Sequence, residues 1–135
     1  MASLRGFIAR VRREIDRHRP VIIFPEGTRR PPGAPPDYQS GIAHLYRALG
    51  TPVVPTALNS GLYWPRRKFL RYPGTIVFEF LPPIPPGLDS RAFLQRLSAS
   101  IETASDRLLI EADRGAPRPP FPPAASERLL ALRSA

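Results

Sequence analysis

The order strand, helix, strand in the first sixty residues is the feature that most constrains the fold of this chain. A short apolar run covers residues 21–24, a helical pattern covers 39–49, and a second apolar run covers 51–58. Two strands joined by a helix form a βαβ unit, with parallel strands and a right-handed crossover. The pattern predicts an α/β fold with a central, mostly parallel sheet and flanking helices, in which ligands bind at the carboxyl ends of the strands.

Three further elements follow from the spacing of apolar residues. Residues 3–18 place them at helical intervals, which predicts a helix packed on the sheet or, alternatively, lying on a membrane. Residues 75–81 predict a third strand. A long core-facing helix is expected to begin at Asp89 or Ser90, either of which can cap it, and to end near 113.

Proline-rich stretches predict the boundaries of the domain. A loop is expected over 30–37, and the prolines after 114 indicate a linker that leads to a weak helix over 126–132. We therefore divide the chain into a domain of residues 1–113 and a Pro-rich tail of residues 114–135.

The charge balance favours anionic partners. The 135 residues hold 20 Lys and Arg against 11 Asp and Glu, for a net charge of +9. All but one of these basic residues are arginine and 19 residues are proline, a bias that GC-rich codon usage accounts for in part. The sequence contains no cysteine and only two histidines, so we expect no metal. No apolar run approaches the ~20 residues that span a bilayer and no signal peptide pattern is visible, so we expect a soluble or peripheral, cytoplasmic protein.

The loop after the first predicted strand carries the parts of a phosphate site. It reads Phe-Pro-Glu-Gly-Thr-Arg over 24–29. Arg29 can bind phosphate through two N–H groups, Thr28 offers a hydroxyl, and Gly27 offers a freely oriented backbone amide. Glu26 is expected to hold Arg29 or to bind a substrate hydroxyl. The alternative is a simple surface ion pair between Glu26 and Arg29.

This hexapeptide resembles the phosphate-binding signature of the glycerolipid acyltransferases, the lysophosphatidic acid acyltransferase (1-acylglycerol-3-phosphate acyltransferase) family. The resemblance extends over roughly residues 1–112, although Gln39 stands where lysine is common in the family. It implies a partial acyltransferase domain, the carboxyl-terminal half, acting in phospholipid biosynthesis. The implied partners are lysophosphatidic acid as acceptor and a thioester on coenzyme A or acyl carrier protein as donor, with no other cofactor.

The family's catalytic motif is His, any four residues, Asp, in which the histidine acts as general base. In this sequence His18 is followed five positions later by Ile23, and His44 by Leu49. We therefore interpret both as structural or surface histidines and assign no catalytic residue. The expectation is a truncated form without the amino-terminal part of the domain, inactive by itself.

Residues 61–74, here called the aromatic–basic segment, interleave rings with cations. Tyr63, Trp64, Arg66, Arg67 and Lys68 are predicted to contact a membrane, because rings lie at headgroup depth and cations attract lipid phosphates. The alternatives are a solvated hairpin or a stacking surface for single-stranded nucleic acid. The family resemblance favours an anionic membrane, at the cytoplasmic side of the cell membrane, over nucleic acid. A non-catalytic peripheral membrane module is the alternative function.

Overall fold

A computed structural model of the protein describes residues 3–135 as five helices and two short strands. The elements, in chain order, are α1 Leu4–Asp16, α2 Ser40–Leu49, β1 Thr56–Leu58, α3 Ser60–Tyr63, β2 Phe78–Phe80, α4 Ser90–Arg114 and α5 Pro123–Ser134.

Helix α4 is the structural centre of the protein, because one face of it contributes to all three clusters of buried residues. Phe93 and Leu97 pack against α2 and Ile84, and the ring of Phe93 stacks on that of Tyr46 at a centroid distance of 3.8 Å. Further along α4, Ala104 and Leu108 pack against β1, followed by a cluster with α3 and α5. The predicted core-facing stripe is confirmed, and Asp89 caps the helix by accepting a hydrogen bond from the Ala92 amide at 2.8 Å.

The two strands pair with each other in an antiparallel sheet, with Thr56 opposite Phe80 and Leu58 opposite Phe78. The protein therefore combines helices with strands, as predicted, but the predicted parallel βαβ pairing is wrong. Part of the run at 51–58 pairs instead with residues 78–80, which follow it in sequence, and this pairing is antiparallel. An isolated bridge between Val53 and Ile84 extends this pairing beyond the strands.

The first predicted strand, residues 21–24, is an irregular segment, and the prediction that it is buried is also wrong. Ile22 is 84% exposed and Phe24 is 68% exposed. A strand is stable only when a neighbour accepts and donates its backbone hydrogen bonds, and no strand of the described residues runs beside this one. Pro20 and Pro25 flank the segment and supply no amide donors.

The two helices nearest the amino terminus agree with the sequence predictions more closely than the strands do. Helix α1 forms as predicted, with Ser3 accepting a hydrogen bond from the Gly6 amide. It packs on α2 rather than on a sheet, burying Val11 while Arg12 donates to the Ala48 carbonyl. Helix α2 ends as expected at Gly50, whose φ of 61° is readily adopted only by glycine.

The carboxyl-terminal segment forms a longer helix than its sequence indicated. Helix α5 covers Pro123–Ser134 and packs on α4 through Ala125 and Leu129. Arg128 forms an ion pair of 2.5 Å with Asp106 of α4, which adds a polar contact to the apolar one.

Candidate phosphate-binding site

The candidate site begins in a tight turn. The Gly27 amide donates to the Phe24 carbonyl at 3.0 Å, which closes a four-residue turn with Pro25 in its second position. Gly27 has a φ of 68°, and a Cβ atom there would meet only the Gln39 side chain at 3.8 Å. Backbone conformation rather than crowding therefore explains the glycine.

Glu26 closes the base of the loop instead of holding Arg29. Its carboxylate accepts a hydrogen bond from the Asp37 amide at 2.9 Å and lies 3.6 Å from the Arg30 guanidinium. Arg30 also lies 3.6 Å from the Asp37 carboxylate. The expected contact between Glu26 and Arg29 is therefore corrected, because the neighbouring arginine takes that position. Residues 26–37 form a loop tied at both ends.

Arg29 and Thr28 instead contact the aromatic–basic segment. Arg29 donates from Nη2 to the Trp64 carbonyl at 3.0 Å. In the opposite direction, Arg66 donates from Nη1 to the Thr28 hydroxyl at 3.0 Å and to the Arg29 carbonyl at 3.3 Å. The two segments are 35 or more residues apart in sequence, so no local pattern could have predicted these crossed hydrogen bonds.

An apolar hollow of about 160 Å³ adjoins the loop. It is lined by the loop itself, by Phe7 of α1 and by Ile42 and Leu45 of α2. Gly27 is part of its wall, so a polar loop and an apolar surface meet at one residue. This arrangement suits a ligand that has an anionic end and an apolar end.

The structure divides the predicted membrane-contact residues into two groups. Tyr63 is only 7% exposed and packs with α4 and α5, and its ring approaches Gly74 so closely that no side chain fits there. We therefore remove Tyr63 from the predicted contact surface, because core packing covers it. Trp64 remains half exposed, with the Arg71 guanidinium 4.1 Å from its ring centroid.

The most exposed part of the aromatic–basic segment includes Phe69, one of the rings that the sequence places in this segment, and Leu70, to which the sequence assigned no role. Phe69 is 92% exposed and Leu70 is also exposed, directly after the exposed cations Arg67 and Lys68. An apolar pair beside a basic run is the sequence signal that would have identified this tip.

The remaining titratable groups lie outside the loop. His18 and His44 are both exposed, as expected for surface histidines. Tyr38 donates to the Glu102 carboxylate at 2.7 Å. Burial, followed by this contact, raises the pKa of Tyr38, and burial also raises the pKa of Glu102.

Residues 3–135 contain neither a metal-binding cluster nor a helix that could span a membrane. These residues contain no cluster of three or more His, Cys, Asp or Glu side chains that could bind a metal ion. None of their helices has the length and apolar character needed to cross a membrane.

A known family model matches the amino-terminal part of the chain. Residues 2–59, which contain the turn and the loop, match the family model described as Acyltransferase. The matched segment ends at Asn59, just after β1.

Three curated relatives share one more specific name. A 1-acyl-sn-glycerol-3-phosphate acyltransferase of Pseudomonas aeruginosa is 48% identical over 56 residues, which is 42% of this chain and 22% of the relative. Enzymes of the same name from Limnanthes alba and Limnanthes douglasii are each 32% identical over 84 residues, 62% of this chain and 30% of theirs. Over the matched residues, the chain is therefore similar to the lysophosphatidic acid acyltransferase family. It matches less than a third of the length of these relatives, and no solved structure matches it.

Proposed function

We propose that this chain provides the phosphate-binding part of a 1-acylglycerol-3-phosphate acyltransferase, which transfers a fatty acyl group from a thioester to lysophosphatidic acid. The observation that carries the proposal is Arg29, an exposed guanidinium beside Thr28 and Gly27 in the family's signature. The names of the relatives supply the acceptor. The apolar hollow beside Gly27 supports a lipid ligand rather than a free phosphate.

The direct test is binding of lysophosphatidic acid to an Arg29→Ala variant, measured by calorimetry below the micelle concentration. We expect the variant to bind more weakly by roughly 1.5–3 kcal/mol, the range for hydrogen bonds to charged groups. Arg10→Ala is the matched control, because it removes one exposed positive charge from α1. Equal affinities of the two variants, with the fold intact, would refute the assignment of Arg29.

By the same proposal, residues 1–135 bind the acceptor, lysophosphatidic acid, without acylating it. The sequence places no histidine five residues before an aspartate, and its two histidines lie outside the loop. A general base typically contributes ~10²–10⁴-fold to such a reaction. With lysophosphatidic acid and an acyl thioester supplied, we expect no product by thin-layer chromatography. Robust turnover would contradict this part of the proposal and would make His44 the first base to test.

A second candidate function is a peripheral module that binds anionic membranes, located at the cytoplasmic side of the cell membrane. The observation that favours it is the exposed tip at Phe69 and Leu70 beside Arg67 and Lys68. Burying one such apolar side chain contributes about 1.5–3 kcal/mol, and each nearby cation adds ~1 kcal/mol on anionic lipid.

Co-sedimentation with vesicles of anionic phospholipid tests this second candidate. Phe69→Ser combined with Lys68→Gln should release the protein. The matched control is Phe80→Ser, which alters another exposed phenylalanine, on β2. If both proteins sediment like the parent, the tip is a solvated hairpin and the module is refuted.

A further inference from the structure

Two arginines from distant parts of the sequence meet at the loop. Arg66 reaches the Thr28 hydroxyl and the Arg29 carbonyl through a single nitrogen, Nη1. Arg29 contacts the Trp64 carbonyl through Nη2. A guanidinium group has five N–H donors. Each of the two groups therefore retains donors that these contacts do not use.

No carboxylate of residues 3–135 forms an ion pair with either guanidinium group. Among the described residues, ion pairs at the loop join Arg30 to Glu26 and to Asp37, and none includes Arg29 or Arg66. Two neighbouring positive charges repel each other, and an anion bound between them attracts both and so offsets that repulsion. The site thus has one neutralised arginine, Arg30, and two arginines, Arg29 and Arg66, whose remaining donors can bind an anion.

We propose that Arg66 is a second phosphate ligand and forms with Arg29 a two-arginine clamp selective for phosphate monoesters. The inference rests on the proposed function of Arg29 and extends it to the choice of headgroup. A phosphate monoester carries about −1.5 to −2 charges at pH 7 and three acceptor oxygens, which two guanidinium groups can share. A phosphodiester carries one charge and two such oxygens, so it gains less from the second arginine.

This assignment moves Arg66 from the predicted membrane surface to the headgroup site. Arg10 of α1 provides a matched control. It is exposed, like Arg66, and lies outside both the loop and the aromatic–basic segment. Its substitution changes the net charge by the same amount without touching the loop.

The test compares a monoester with a diester, using short-chain lysophosphatidic acid and lysophosphatidylglycerol in calorimetry on the full chain. The parent should prefer the monoester. Arg66→Gln should lower monoester affinity about tenfold and diester affinity much less, so that the preference shrinks. Arg10→Gln should preserve both affinities. Arg66→Lys keeps the charge but loses the planar, forked arrangement of N–H donors. Its monoester affinity should lie between those of the parent and Arg66→Gln.

The ratio of monoester to diester affinity distinguishes a direct contact between Arg66 and phosphate from an indirect structural effect. A less ordered loop would weaken the binding of both ligands alike. An unchanged ratio in Arg66→Gln, or equal behaviour of Arg66→Gln and Arg10→Gln, overturns the clamp. If Arg29→Ala still weakens binding in that case, the proposed function stands. A parent that binds neither ligand refutes both. Should Arg66→Gln unfold, Arg66→Lys carries the test, since its ammonium can still donate to Thr28.

Discussion

Asn59 is the residue through which the sheet positions the aromatic–basic segment, and its substitution gives the sharpest stability prediction. Its side chain is only 8% exposed and lies at the end of β1, directly before α3. The side-chain oxygen accepts from the Val77 amide at 2.8 Å, and the side-chain nitrogen donates to the Thr75 carbonyl at 3.3 Å. One side-chain amide therefore connects the end of β1 to residues 75–77, which lead into β2.

The expected cost of Asn59→Ala follows from these two hydrogen bonds. The Val77 amide is half buried, so leaving it without a partner costs about 1–3 kcal/mol. Thr75 is exposed and its carbonyl can bind water, so the longer hydrogen bond contributes about 0.5–1 kcal/mol. Together they predict a loss of roughly 1.5–4 kcal/mol in the free energy of unfolding.

Urea denaturation, followed by circular dichroism, measures this loss. Asn59→Asp is a second variant, for which the direction of the pH dependence can be predicted. The introduced carboxyl can still accept from Val77, but when ionised it opposes the Thr75 carbonyl. Burial and that carbonyl favour the protonated acid, so the variant should regain stability, relative to the parent, as pH falls through the range where the carboxyl protonates. A loss below about 0.5 kcal/mol in Asn59→Ala, or a pH-independent difference for Asn59→Asp, would refute this reasoning.

Two further predictions concern α4. Phe93→Ala should lower the free energy of unfolding by about 3–5 kcal/mol, because the ring is fully buried, and a loss under about 1 kcal/mol would show a loosely packed site. Glu102→Gln should stabilise the protein at neutral pH and not at acidic pH. The raised pKa of Glu102 implies that the parent is most stable below the ordinary carboxyl pKa and loses stability as pH rises through the folded value. Denaturation from pH 4 to 8 tests this, and parallel curves for variant and parent would contradict it.

The sequence predicted helices better than strand partners, for a physical reason. Caps and apolar stripes are local, so Gly50 and Asp89 identified the ends of two helices correctly. Strand pairing depends on which segment comes alongside, and an apolar run does not contain that information. Residues 21–24 show the consequence, since a run typical of a buried strand is exposed where no strand lies beside it.

The candidate site was predictable only in part. The order of residues 26–29 predicts a phosphate loop, and the structure shows a tight turn at Gly27. The roles of Glu26 and Arg66 depend on contacts across 11 and 38 residues, which no spacing in the sequence encodes. Helix α5 was underestimated for the same reason, because its ion pair with Asp106 and its buried face involve α4.

The position of α4 in all three buried clusters has a consequence for how the protein opens. Since Phe93, Ala104 and Leu109 contribute to separate clusters along one helix, no section of α4 can unwind without exposing apolar surface. Its central amides should therefore exchange with deuterium only through global unfolding. Helix α1, anchored by Val11 on α2, can detach with far less exposure. Proteases should then trim the chain first from its amino-terminal helix, leaving α4 and its partners as the resistant fragment.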